Sequence, residues 1–180
     1  MEKHDVCPPE KAGGLNSKLR KIVQNPKKIL KNYVKPGMKV LDFGCGPGMF
    51  AMELAELNTE VIAADLQEEM LKILKENIKN TKYEEKIKIV KCDEDQINVN
   101  EKVDFILAFY VLHEVKNKEK FFKQAKEILK RGSKLYLAEP TFQVSRNEFE
   151  EELELAEKQG FKTIKRPKYW LSRVAVLEKK

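Results

Sequence analysis

Very little in this chain serves for cross-linking or for crossing a bilayer. Cysteine occurs three times in 180 residues, at Cys7, Cys45 and Cys92, an odd number with no C-x-x-C spacing. That argues against both a disulfide framework and a zinc site, so no metal is expected, and it suits a reducing cytoplasm. The longest apolar stretches, such as Phe105 to Leu112, run to about eight residues, whereas a membrane span needs about 20. The opening Met1-Glu2-Lys3-His4-Asp5 lacks the basic-then-apolar order of a secretory signal. No internal repeat and no low-complexity tract is present.

What the chain does have is a balance of 42% apolar and 36% charged residues, the composition of a globular protein with one core. Its net charge of +6 is unevenly placed. Residues 1–35 hold nine basic and three acidic side chains, so the remainder is neutral overall. A basic leading segment can attract an anionic substrate or a nucleic acid, or it can be a solvated lysine-rich helix face.

Hydrophobic periodicity predicts two short leading helices, Leu15 to Val23 and Pro26 to Tyr33, then a turn at Pro36-Gly37. Strands are expected at 39–43, 60–64, 86–91, 103–108 and 134–138, separated by helices at 48–57, 68–80 and 118–130. Gly132 is expected to stop the last of these. A helix over 147–159 then precedes two closely spaced strands, 161–170 and 172–178, which suggest an antiparallel hairpin. The alternation implies an α/β fold, a doubly wound, mainly parallel sheet of seven strands behind a helical N-terminal preface.

The strongest local signal is Leu41-Asp42-Phe43-Gly44-Cys45-Gly46-Pro47-Gly48, a buried strand running into a glycine turn that opens a helix. In an open α/β sheet, ligands sit beyond the carboxyl ends of the strands, and this is the first such end. A dinucleotide fingerprint wants G-x-G-x-x-G, but here the third glycine comes one residue early. Asp42, just before the turn, would repel a pyrophosphate and suits the ammonium of an amino acid. The second strand ends in Asp65, a carboxylate able to accept both hydroxyls of a ribose.

Together these residues resemble the first motifs of the class I S-adenosylmethionine-dependent methyltransferases. Cys92-Asp93-Glu94-Asp95 after the third strand, Ala108-Phe109-Tyr110-Val111-Leu112-His113-Glu114 after the fourth, and Ala138-Glu139-Pro140 closing the fifth match that family in order. The closest look is to small enzymes similar to the quinone and sterol C-methyltransferases, without their long insertions. The resemblance implies S-adenosylmethionine as cofactor and S-adenosylhomocysteine as product. It implies a cofactor site formed by Asp42, Gly44, Cys45, Gly46, Gly48 and Asp65, with Leu66 and Met70 beside adenine, Asp93 on its amino group and Phe109 near the sulfonium.

A cofactor of this kind brings an already activated methyl, so the protein's main task is in-line alignment of the acceptor. His113, Tyr110 and Glu139 are the candidates for any general base, since all three fall at the carboxyl edge. Residues 1–35 are expected to form a helical lid or extension, with a disordered leader or a dimer contact as alternatives, on a domain spanning 36–180. The expected activity is methyl transfer to a small-molecule acceptor. Methylation of RNA and a cofactor-binding subunit without turnover remain the alternatives, and no membrane partner is expected.

Overall fold

The computed structural model describes residues 29–169 and 171–180. The expected helix over Leu15 to Val23, the first three residues of that over Pro26 to Tyr33, residues 1–28 of the expected lid and Cys7 lie outside the described residues; Ile29 and Leu30 are helical and buried, and 31–33 form a turn.

Seven strands alternate with four helices among the described residues: β1 (Lys39–Phe43), α1 (Met49–Glu56), β2 (Glu60–Asp65), α2 (Glu68–Ile78), β3 (Ile87–Lys91), β4 (Val103–Phe109), α3 (Lys118–Ile128), β5 (Leu129–Pro140), α4 (Arg146–Lys158), β6 (Phe161–Lys165) and β7 (Ser172–Lys179). They form one sheet in the order β3-β2-β1-β4-β5-β7-β6. All neighbours are parallel except those of β7, which is antiparallel to β5 and β6. This is the doubly wound α/β sheet with its terminal hairpin.

The period of two in each central strand builds both layers. Leu41, Ile62, Ile106, Leu135 and Leu137 face the core under α3 and α4, with Phe121, Phe122, Phe149 and Leu153. Val40, Val61, Phe105, Leu107 and Tyr136 face the core under α1 and α2, with Phe50, Leu54 and Leu74. Each central strand is therefore apolar on both faces, as a covered parallel sheet requires. Chain order reverses between β1 and β4, and at that switch point the carboxyl ends diverge and leave a crevice.

Two boundaries differ from the sequence expectation by five residues, the start of β5 and the end of β6. Helix α3 ends at Ile128 and β5 begins at once, so Gly132 lies inside a strand, at φ +72°. The pairing of β4 with β5 is irregular there: Val103 meets Leu129, but Phe105 meets Lys134. Gly132 thus serves a bulge, where a positive φ bends the strand, and not a helix stop. Strand β6 ends at Lys165, five residues short of the expected end.

Helix α4 is started by a capping box: the Ser145 hydroxyl accepts from the Glu148 N–H at 3.2 Å, and the Glu148 carboxylate accepts from the Ser145 N–H at 2.7 Å. Replacing Ser145 with alanine is expected to cost about 1 kcal/mol and to lower the melting temperature by about 2–4 °C, measurable by calorimetry.

Candidate cofactor and active site

The glycine turn owes its shape to close approach and to one carboxylate. A Cβ on Gly44 (φ +73°) would lie 2.3 Å from Val111 Cγ2, so only glycine lets the β1 turn touch the segment after β4. A Cβ on Gly46 (φ +51°) would meet nothing within 4 Å, and Gly46 borders the crevice. Its N–H donates to Asp65 Oδ2 at 2.8 Å, and the Gln67 N–H donates to Oδ1 at 2.8 Å. The end of β2 thereby holds the turn that follows β1.

The crevice is a cavity of about 310 Å³ at the carboxyl ends of β1, β2, β3 and β4. Of the residues expected to hold the cofactor, Gly44, Gly46, Asp65, Leu66, Met70, Asp93 and Phe109 line it. Asp42, Cys45 and Gly48 do not. Asp42 lies beneath the turn, 2% exposed, and its Oδ2 has no hydrogen-bond partner among the described residues. Burial, then the negative charge of Asp65, push its carboxyl up to about 7, against the pull of the Ala51 N–H. Burial also raises the Asp65 carboxyl, opposed by backbone N–H groups of Gln67, Gly46 and Leu66. Gly48 caps α1 and faces Leu74, while the buried Cys45 thiol contacts the Gly46 carbonyl. These two shape the turn from behind.

Asp93 is exposed at the rim and accepts from the Asn98 side chain at 3.0 Å. The loop around it is pinned by Gln124 of α3, which accepts from the Ile97 N–H at 3.0 Å and donates to the Asp95 carbonyl at 2.9 Å. Lys116 reaches across the outer wall to both Glu94 oxygens at 2.9 Å. Gln124, Val111 and Lys116 were not singled out from the sequence. The one available signal was Gln124, a polar side chain beside the apolar stripe Phe121, Phe122, Ala125 and Ile128.

Of the three candidate bases, Tyr110 alone lines the cavity. It sits at φ 60°, left-handed and costly for an aromatic residue, and its hydroxyl shares a hydrogen bond with Ser172 Oγ on β7. Its ring packs on Phe109 at 4.4 Å between centroids, and Phe109 packs on Phe50 at 4.6 Å. Tyr33 packs on Phe105 and Tyr136. His113 and Glu139 stand behind the cavity wall and bond to each other: His113 Nδ1 lies 2.5 Å from Glu139 Oε2. No group of three or more His, Cys, Asp or Glu suited to a metal occurs among the described residues, and no helix there is long and apolar enough to cross a membrane.

This architecture has relatives. A methyltransferase-domain family model matches residues 34–174. A crystal structure of an S-adenosylmethionine-dependent methyltransferase from Aquifex aeolicus superposes with a TM-score of 0.83 at 25% identity, covering 96% of this chain and 98% of that one. In sequence, the ribosomal protein L11 methyltransferase of Acetivibrio thermocellus is 36% identical over 81 residues, 44% of this chain and 25% of its own length. The mitochondrial ubiquinone biosynthesis O-methyltransferase of Rattus norvegicus is 32% identical over 104 residues, 56% of this chain and 30% of its own. The chain spans less than half the length of the curated relatives it matches. A family match over residues 34–174 and near-complete coverage of a solved relative settle membership: the chain belongs to the methyltransferase-domain family, among the class I S-adenosylmethionine-dependent methyltransferases.

Proposed function

We infer that this chain transfers the methyl of S-adenosylmethionine to a small-molecule acceptor. The observation that carries the reading is the pair of buried carboxylates, Asp42 and Asp65, on either side of a glycine turn open to a cavity. The residues present fit the cofactor. Gly46 leaves backbone bare where a ligand must come close, and Asp42 has a buried oxygen without a partner among the described residues. A carboxylate whose proton affinity is raised by burial and by the negative charge of Asp65 favours a ligand bearing positive charge.

On this reading Asp42, beneath the turn and off the cavity surface, serves the ammonium end through water or through its charge, and Asp65 the ribose hydroxyls. Leu66 and Met70 flank the adenine, Asp93 accepts from its amino group, and Phe109 offers a ring face to the sulfonium. The cofactor supplies an electrophilic methyl on a positively charged sulfur. The chain's contribution is to exclude water and align the acceptor, worth about 7–11 kcal/mol when the geometry is good. Tyr110, held in a strained backbone conformation at the cavity wall, is the residue best placed to orient an acceptor or take its proton.

The O-methyltransferase relatives support a small-molecule acceptor. Residues 36–180 carry equal numbers of basic and acidic side chains, so the net charge of +6 resides in residues 1–35. Turnover of a small substrate should lack the steep salt dependence that RNA binding shows.

Titration calorimetry with S-adenosylhomocysteine tests the cofactor site. Binding in the micromolar range is expected, with Asp65→Ala losing roughly 100-fold or more through the loss of charged hydrogen bonds. An unresponsive wild-type protein, shown by mass spectrometry to carry no co-purified cofactor, would rule the reading out. The pH dependence tests Asp42. Because its carboxyl titrates at about 7, binding a cation beside it below that pH must expel a proton. Affinity is therefore expected to climb with pH from about 5.5 to about 7, and Asp42→Asn should flatten that limb and weaken binding.

A further inference from the structure

The Glu139 side chain is wholly buried, yet it is not bonded to its own strand neighbours. Its Oε1 accepts from the Leu112 N–H at 2.8 Å, and its Oε2 lies 2.5 Å from His113 Nδ1. One residue earlier on β5, the Ala138 carbonyl accepts from the Tyr110 N–H at 2.8 Å. The segment Tyr110–His113 is thus tied to β5 at both ends. What lies between the ties is the cavity wall, Tyr110 at φ 60° and Val111 pressed against Gly44.

A buried carboxylate needs a countercharge as well as donors, and His113 is the cation within reach. Burial draws the imidazole pKa down, but the bond to Glu139 and the charges of Glu139, Glu114 and Glu152 outweigh it and hold it above the usual histidine value. Glu114 Oε1 lies 3.9 Å from His113 Nε2 on the same turn. Glu152 comes from α4, itself paired with Lys118 of α3 at 2.7 Å.

We propose that Glu139 and His113 are positioning residues, a buried ion pair that clamps the Tyr110–Val111 wall onto the glycine turn and so sets the cofactor affinity. They neither line the cavity nor take the acceptor's proton. This rests on the cofactor reading above. The clamp is complete while His113 is an imidazolium, below the ordinary histidine pKa of about 6.5, and fails as pH rises through the raised value. Cofactor affinity therefore has an alkaline limb set by His113, separate from the acid limb set by Asp42.

The test uses the full-length protein, S-adenosylhomocysteine titrations at about pH 6, 7.5 and 9, and imidazole NMR. With two histidines in the chain, a His113→Asn spectrum assigns the signal. The wild type is expected to titrate His113 above the ordinary range and to lose affinity through the same midpoint. Glu139→Gln keeps an acceptor for the Leu112 N–H but removes the charge. It should lower the His113 pKa, weaken binding on the order of tenfold at low pH and abolish the alkaline limb. Glu139→Ala should bind more weakly still; if it fails to fold, the glutamine variant and the wild-type profile still decide. A well-folded Glu139→Gln that binds the cofactor product as the wild type does, at every pH, overturns the proposal. Absence of binding by the wild type overturns the cofactor reading instead, and the NMR titration then still reports whether the ion pair exists.

Discussion

The carboxylate of Asp65 is the contact on which the rest of the site depends. It ends β2, yet one of its oxygens is committed to the N–H of Gly46, in the turn that follows β1. A turn with three glycines in five residues has few side chains of its own with which to hold a shape. Its backbone donors are fixed here by a charge placed on the neighbouring strand, and parallel pairing of β1 with β2, Phe43 opposite Ala64, brings that charge within reach. The opposite side of the same turn is set by contact, Val111 against Gly44, and Val111 is held in turn by the ties to β5. The crevice is bounded by a carboxylate on one flank and by packing on the other.

Two buried acids in this edge of the sheet are treated in opposite ways. Glu139 has both oxygens bonded, one by the Leu112 N–H and one by the His113 imidazole, so its polar atoms are already answered within the protein. Asp42 has an oxygen without a partner among the described residues and a second carboxylate nearby, so its charge is unanswered there. A protein interior tolerates the first arrangement readily and the second only at a cost. Unfavourable electrostatics concentrated beside a cavity is what a positively charged ligand relieves, and that contrast separates a structural acid from a binding one.

Much of this was legible in the linear sequence, and the reason is locality. The spacing of Gly44, Gly46 and Gly48 after an apolar strand, with Asp42 before it, lies within seven residues. The alternation of elements follows from local periodicity. The misplaced features are those decided by distant partners. Gly132 looks like a helix stop until β4 is known to pair across it, from Val103 to Leu129. The left-handed backbone of Tyr110 follows from ties to β5, and nothing in the residue's own character announces it. Glu139 and His113 could be picked out as ionisable groups near the right edge. That they face each other, 26 positions apart, and not the cavity, required the fold.

The reversed strand β7 also decides where the molecule can be held. It starts at Ser172, opposite Pro140 and in contact with Tyr110, and by Glu178 it pairs with Lys134 at the other edge of the sheet. Its eight residues span roughly 26 Å. Anything joined after Lys180, whether a neighbouring domain or a laboratory surface, therefore departs from the side away from the crevice. An anchor there would sit at the end of the sheet opposite the mouth of the cavity.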